Sequence, residues 1–323
     1  MSVNKQKIII DTDPGIDDAM AIHMAFADPR LEVVGLTTIF GNVNVEQATR
    51  NALFLSEQAG YPIDVAKGAS KPLVQTPNEP SYYVHGDEGF GDLPAQTPKG
   101  TAHALDAADY IIETCRAHSG EISLCPVGPL TNIAIALQRD PDLVHHVKSV
   151  AIMGGAGFVP GNVTDYAEAN IWNDPHAADI VFGAPWEVVM IGLDVTTQVM
   201  CYPQEYQSIA DESGSIGSFI NDISQFYARF YASVYEEVLC VLHDPCAIIA
   251  LTDPDLFEYR CVPVRVTCEG PAIGQTVPDA QLARTNAKIA IGVDVEKVKA
   301  HYLSLSKMAD GCHAKRQAQA ADK

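Results

Sequence analysis

The sequence predicts an α/β fold: an open, mostly parallel (mixed) sheet flanked by helices, Rossmann-like, with an additional helical segment near residues 204–252. Three observations carry this expectation. Short apolar runs bounded by turn residues alternate with helical patterns along most of the chain. The runs are apolar at successive positions, as strands covered on both faces require. Such alternation builds βαβ units with parallel strands. With 323 residues, of which 47% are hydrophobic and 19% charged, the chain can bury a large core without disulfide or metal staples.

Residues 7–11, Lys-Ile-Ile-Ile-Asp, are the first strand candidate, and 16–27 follow as a helix. Residues 31–39, rich in Val, Leu and Thr, form the next strand, 45–58 a helix, and 62–66 a short returning strand. Within 104–115, Leu105, Ala108, Ile112 and Cys115 recur at spacings of three and four, which is one face of a helix. Residues 122–127, 150–153 and 188–193 are further bounded runs suited to buried strands. Residues 67–100 break the alternation: rich in Pro and Gly and without lasting period, they read as a functional flap or an insertion. Residues 204–242 look mainly helical, with Tyr227, Tyr231 and Tyr235 on one face at i, i+4 and i+8. That stripe fits core packing as well as stacking on a ligand ring. A single domain over residues 1–310 is expected, followed by a polar, frayed tail at 311–323.

Charge and composition exclude several classes of function. With 41 acidic against 21 basic side chains the formal net charge is −20, which argues against nucleic acid or an anionic membrane as partner. No run approaches the roughly 18 apolar residues of a membrane-spanning helix. Residues 1–10 offer only Ile8, Ile9 and Ile10 in succession before Asp11, short of a signal-peptide core. The eight cysteines contain no C-x-x-C pair, so neither a zinc site nor a compact disulfide frame is signalled, and reduced thiols in a cytoplasm are expected.

The most informative segment is Asp11-Thr12-Asp13-Pro14-Gly15-Ile16-Asp17-Asp18, four carboxylates where a buried strand hands over to a helix. In an open parallel sheet this is the carboxyl edge, where ligands bind. Like charges so close raise one another's pKa unless a cation sits among them, and hard oxygen donors suit Ca²⁺ or Mg²⁺. A helix dipole and a simple Asp-Pro-Gly turn account for two of these acids, but not for four on one short arc. His243-Asp244-Pro245-Cys246 is a second candidate, since an imidazole can donate a proton near neutral pH. Asp-Pro alone says little: the chain has six such pairs, most of them suited to helix starts. A third segment, Gly161-Asn162 through Glu168-Ala169-Asn170, offers amides and a carboxylate able to bond sugar hydroxyls, though a solvated loop would have the same composition.

Together these segments resemble the inosine-uridine preferring nucleoside hydrolase family, from about Lys7 to Lys307. Asp11-Thr12-Asp13-Pro14-Gly15-Ile16-Asp17-Asp18 looks like the family's D-x-D-P-G-x-D-D signature. Phe40-Gly41-Asn42, Val84-His85-Gly86, Gly128-Pro129-Leu130-Thr131-Asn132, Met153-Gly154-Gly155, Ala167-Glu168-Ala169-Asn170 and His243-Asp244-Pro245-Cys246 follow in the family's order. The resemblance implies that residues 1–310 form one nucleoside hydrolase domain that cleaves the N-glycosidic bond of ribonucleosides with the help of Ca²⁺. It implies Asp13, Asp18, Asp244 and the Val127 carbonyl as metal ligands, and Asp13 as general base toward the attacking water. Asp17, Asn42, Asn162, Glu168 and Asn170 match ribose-contacting positions, and His85 and His243 match positions around the base. It also implies a homodimer or homotetramer.

The implied chemistry suits these residue types. Breaking an N-glycosidic bond develops oxocarbenium character on the ribose, which nearby carboxylates stabilise. Water needs a metal and a proton acceptor, and the base needs a proton donor on the opposite side, a role that suits His243. Asp11 looks structural. Ala169 departs from the Phe common in relatives and removes an apolar contact near the sugar. The 67–100 flap and the Tyr227/Tyr231 face are expected to set base preference. Two rivals remain: a haloacid-dehalogenase-like Mg²⁺ phosphatase, which also uses Asp-x-Asp after a strand, and a non-catalytic Ca²⁺-dependent ribose-binding module.

Overall fold

The computed structural model describes residues 5–321. Its strands are, in chain order, β1 (Gln6–Thr12), β2 (Leu31–Thr38), β3 (Asp64–Lys67), β4 (Ile122–Pro126), β5 (Val147–Met153) and β6 (Val188–Ile191). They continue with β7 (Met200–Cys201), β8 (Cys240–Val241), β9 (Phe257–Val262), β10 (Val264–Val266), β11 (Thr276–Pro278) and β12 (Ala287–Val293). Eight of them make one sheet in the order β3-β2-β1-β4-β5-β6-β12-β9. Its pairings are parallel except at the β12–β9 edge, so the sheet is mixed. β7–β8 and β10–β11 are small antiparallel pairs.

The isoleucines of β1 show why the sheet is sandwiched. Ile8 and Ile10 enter one core layer and Ile9 the other, as the two-residue period of a strand demands. The helix Ile16–Ala27 is buried at every position and packs against the helices His243–Thr252, Val295–Lys307 and Ala309–Ala321. β1 has β2 on one side and β4 on the other. The chain therefore winds outward through β2 and β3, then returns to start again at β4. That reversal opens a crevice beyond the carboxyl ends of β1 and β4, into which the Asp11–Asp18 turn and Val127 project.

Several boundaries differ from the sequence expectation, each for a local reason. The helix expected from 104 starts at Ala107, because the Asp106 side chain accepts from Asp109 N at 3.0 Å and caps it there. The third strand runs Asp64–Lys67 rather than 62–66, and the 67–100 flap holds a short helix, Tyr82–His85. The additional helical segment is the helix Pro203–Tyr235, broken at Gly214 with φ 60°, followed by β8 and the helix His243–Thr252. Of the six Asp-Pro pairs only Asp140, Asp174 and Asp253 cap a helical turn, so helix starting accounts for half of them rather than most.

Over its described part, 311–321, the tail expected to fray is helical instead. Ala309–Ala321 is a helix, and residues 322–323 lie outside the described residues. Arg316 donates to Phe26 O at 3.1 Å and to Ala59 O at 2.7 Å, placing a cation at the carboxyl ends of two helices. Asp310 accepts from Ile216 N at 2.8 Å and so caps the second half of the broken helix. None of the eight cysteines is paired, and among the described residues no helix is long and apolar enough to cross a membrane.

Candidate active site

The floor of the crevice is acidic and buried. Asp13, Asp17, Asp18 and Asp244 are all buried, and single oxygens of Asp17, Asp18 and Asp244 lie within 4.8 Å of one another. Asp18 is held from three directions, accepting from Thr12 Oγ1 at 2.5 Å, Gly15 N at 3.0 Å and Asn42 Nδ2 at 2.9 Å. Asp13 accepts from Asn42 N at 2.6 Å through Oδ2. Its carboxylate is wedged between Gly41 and Gly128, where any side chain would collide with it. Asp13 Oδ1 and Asp17 Oδ1 are buried without a hydrogen-bond partner.

Burial, followed by the neighbouring Asp18, raises the pKa of Asp17 to about 8 and that of Asp13 well above the carboxylate range. Asp244 is raised well above it by burial, then by Asp17, Asp18 and Asp13, and burial also raises Asp18. Among the described residues no Lys or Arg lines the cavity above. Clustered acids with orphaned oxygens and no internal cation are the donor set of a hard divalent metal. Asp11 stands apart: Thr37 Oγ1 at 2.6 Å and Asn132 Nδ2 at 2.8 Å donate to its Oδ1, which ties β1 to β2 and to the helix Thr131–Arg139.

The cavity holds about 400 Å³, room for a small molecule. Of the thirteen residues singled out from the sequence, eleven line it, and Asp13 and Asp18 lie beneath. A further acid lies beside two members of the expected metal set of Asp13, Asp18, Asp244 and Val127. Asp17 is a member of the tightest trio, and the Val127 carbonyl accepts from Asn170 Nδ2 at 2.8 Å, keeping one lone pair free.

Along the cavity lining, Glu168 is first of all a helix cap. It accepts from Gly155 N at 2.8 Å, Asn170 N at 2.9 Å and Ile171 N at 3.1 Å. Asn170 spends its amide protons on Val127 O and, at 3.1 Å, Met153 O, so its Oδ1 is the group left for a ligand. Asn162 is exposed, and its Oδ1 accepts from Ala169 N at 3.0 Å.

A neutral aromatic wall adjoins the acids, with His85 Nδ1 3.9 Å from Asp17 Oδ1. His85 Nδ1 accepts from the backbone N of Ile16 at 3.1 Å, so its proton sits on Nε2. Tyr231 Oη lies 2.7 Å from His243 Nε2 and 3.4 Å from Tyr227 Oη, while Thr196 Oγ1 lies 2.8 Å from His243 Nδ1. Burial lowers the pKa of His85 to about 3 and that of His243 to about 4, so both are neutral at pH 7. The tyrosine stripe is thus core and cavity wall at once: Tyr227 and Tyr231 are buried yet line the pocket, and Tyr235 sits at its rim.

Sequence reasoning missed Tyr83, Phe230 and Val234 at the mouth, and Thr196 behind His243. Positions 230 and 234 were within reach, since 227, 230, 231, 234 and 235 share one helical face. Nothing in the local pattern distinguishes Thr196 from any threonine after a strand.

The sequence profile of the inosine-uridine preferring nucleoside hydrolases matches residues 8–300. Uridine nucleosidase 1 of Arabidopsis thaliana is 40% identical over 304 residues, covering 91% of this chain and 90% of the relative. The inosine-uridine preferring nucleoside hydrolase of Crithidia fasciculata is 37% identical over 300 residues, covering 90% of this chain and 94% of the relative. The solved purine-preferring ribonucleoside hydrolase from Gardnerella vaginalis superposes with a TM-score of 0.90 at 35% identity, covering 94% of this chain and 99% of its own. These likenesses span the α/β fold and the whole acid-floored cavity. The chain belongs to the inosine-uridine preferring nucleoside hydrolase family, hydrolases acting on N-glycosyl compounds.

Proposed function

We propose that the chain hydrolyses the N-glycosidic bond of ribonucleosides to free base and ribose, with Ca²⁺ held by Asp13, Asp18, Asp244 and the Val127 carbonyl. One observation supports this most: a buried acid cluster and a neutral Tyr–His network line the same cavity of about 400 Å³. Ca²⁺ accepts oxygen donors in looser geometry than the strict octahedron of Mg²⁺. When bound, the ion supplies Lewis acidity toward water and a seat for a vicinal diol.

Asp13 takes the proton of the attacking water through Oδ1, the oxygen left unpaired while Oδ2 is anchored by Asn42 N. Asp17, Asn42 and Asn170 Oδ1 meet the sugar hydroxyls, with Glu168 and Asn162 shaping that side. The surrounding carboxylates stabilise positive charge developing on the ribose. The departing base receives its proton from the Tyr231–His243 pair, and His85 Nε2–H and Tyr227 face the same ring. Among the described residues no Lys or Arg lines the cavity to offset the charge of a phosphate beside these acids, which weighs against a phosphatase.

A panel of purine and pyrimidine ribonucleosides with 2′-deoxy controls, read by reducing-sugar release, tests the proposal. Release from ribonucleosides with poor release from deoxynucleosides is expected. Tight binding without product would establish the ribose-binding module instead. We further propose a dimeric or tetrameric assembly, to be checked by light scattering, in a reducing compartment such as the cytoplasm, with which eight unpaired cysteines agree.

A further inference from the structure

We propose that Asp194 is a positioning residue: it anchors the foot of the arm 157–163 and thereby sets where Asn162 meets the substrate. The proposal rests on the hydrolase function above and adds to it a buried acid that belongs neither to the acid floor nor to the cavity lining.

Asp194 is buried in the short helix Leu193–Thr196 that follows β6. Its two oxygens take two consecutive backbone donors of the arm, Oδ2 accepting from Gly157 N at 2.8 Å and Oδ1 from Phe158 N at 2.7 Å. Bonds from N–H groups to a carboxylate are about twice as strong as those between neutral partners. One residue earlier, Thr276 Oγ1 accepts from Ala156 N at 2.9 Å and donates to Ala156 O at 2.8 Å. Side chains from two distant elements thus fix residues 156 to 158 in succession.

Beyond Phe158 the support is weaker. Residues 158–163 are exposed, apart from half-buried Gly161. The amides of Asn162, Val163 and Thr164 converge on one acceptor, Ala167 O, at 3.2, 3.1 and 3.5 Å. A carbonyl with two lone pairs cannot serve three donors well. On the outer side the Arg260 guanidinium lies 4.9 Å from the Phe158 ring, a contact of the weaker, exposed kind.

This lightly held stretch nonetheless builds part of the site, since Pro160, Gly161, Asn162 and Val163 all line the cavity. Asn162 Oδ1 accepts from Ala169 N at 3.0 Å, so the group it offers a ligand is its Nδ2 amide. The placement of that amide is decided at the foot of the arm, where the strong bonds are. Without the Asp194 carboxylate, Gly157 N and Phe158 N lose their acceptors and turn toward water, and the arm carries Asn162 away from the substrate.

A double-mutant cycle between Asp194→Ala and Asn162→Ala, with uridine and inosine as substrates, tests this. Asn162→Ala is expected to lower kcat/KM about 10-fold, the scale of one hydrogen bond between neutral groups, chiefly through a raised KM. Asp194→Ala should cause a similar loss of the same kind. The double variant should lose no more than about threefold beyond either single variant, because both changes remove one interaction. A residue that only supports the fold would instead multiply its effect with that of Asn162, giving about 100-fold. Asp194→Asn, whose one oxygen can keep one of the two N–H partners, should fall between wild type and alanine, and it takes the place of alanine in the cycle should alanine prevent folding.

Losses that multiply, or either single variant with wild-type kcat/KM, would overturn the positioning role while leaving the hydrolase function standing. A wild-type protein that releases sugar from neither nucleoside would overturn both.

Discussion

Replacing Asp18 by Asn should make the metal-free protein more stable and the metal-dependent protein inert. The fold tolerates the change: an asparagine oxygen can still accept from Gly15 N and Asn42 Nδ2, while its amide turns toward Thr12 Oγ1, a hydroxyl able to accept. What disappears is a buried negative charge whose oxygen lies within 4.8 Å of Asp17 and Asp244. At an effective dielectric near 20, each ionised pair at that separation repels by about 3.5 kcal/mol. Protonation within the cluster relieves part of this, leaving about 2 kcal/mol to be gained. For 323 residues the unfolding entropy near Tm is about 0.7 kcal/mol per kelvin, so the gain is about 3 °C. Thermal melts in chelator and in excess calcium read both effects. Wild type should melt higher with calcium, whereas Asp18→Asn should melt about 3 °C above wild type in chelator and ignore calcium. A variant that melts below wild type in chelator, or that keeps the full calcium shift, would refute the reasoning.

Other perturbations separate the parts of the site from the fold that holds them. His243→Ala should lower kcat on ribonucleosides by about 10²- to 10⁴-fold and leave the calcium-induced thermal shift intact, because the imidazole touches Tyr231 and Thr196 rather than the acid floor. Asp11 has its pKa raised by burial to about 7, so the folded chain holds a proton that the unfolded chain releases near 4. Stability should therefore fall as pH rises from about 4 to 7, by up to about 1.4 kcal/mol per pH unit, and denaturant titrations of Asp11→Asn should lack that component of the slope. Asp310→Ala removes the cap on Ile216 N and should cost about 1 kcal/mol, seen as a melting point lower by one to two degrees with unchanged kcat.

Those parts of the molecule governed by local periodicity were legible in the chain. Ile8-Ile9-Ile10 announced a strand buried on both faces, and 45–58 coincides with the helix Val45–Gln58, whose Asn44 cap and Gln47 close a capping box. The acid floor was legible too, because four carboxylates in one turn have few other physical explanations. What long-range contacts decide was not. The docking of Ala309–Ala321 depends on carbonyls of Phe26 and Ala59 that lie far away in sequence and await Arg316. Glu168 declared itself as a polar loop residue, yet three backbone N–H groups assembled around it make it a cap before anything else. Thr196 is the clearest case, since its meaning comes entirely from a histidine that folding brings to 2.8 Å.

A stoichiometric titration probes the proposal at its root. Metal-free protein is given calcium in increments while uridine hydrolysis is followed by release of reducing sugar. The expected result is activity that rises from near zero, saturates at one equivalent per chain, and vanishes again on chelation. Full turnover in the presence of excess chelator, with no ion retained by the protein, would contradict it.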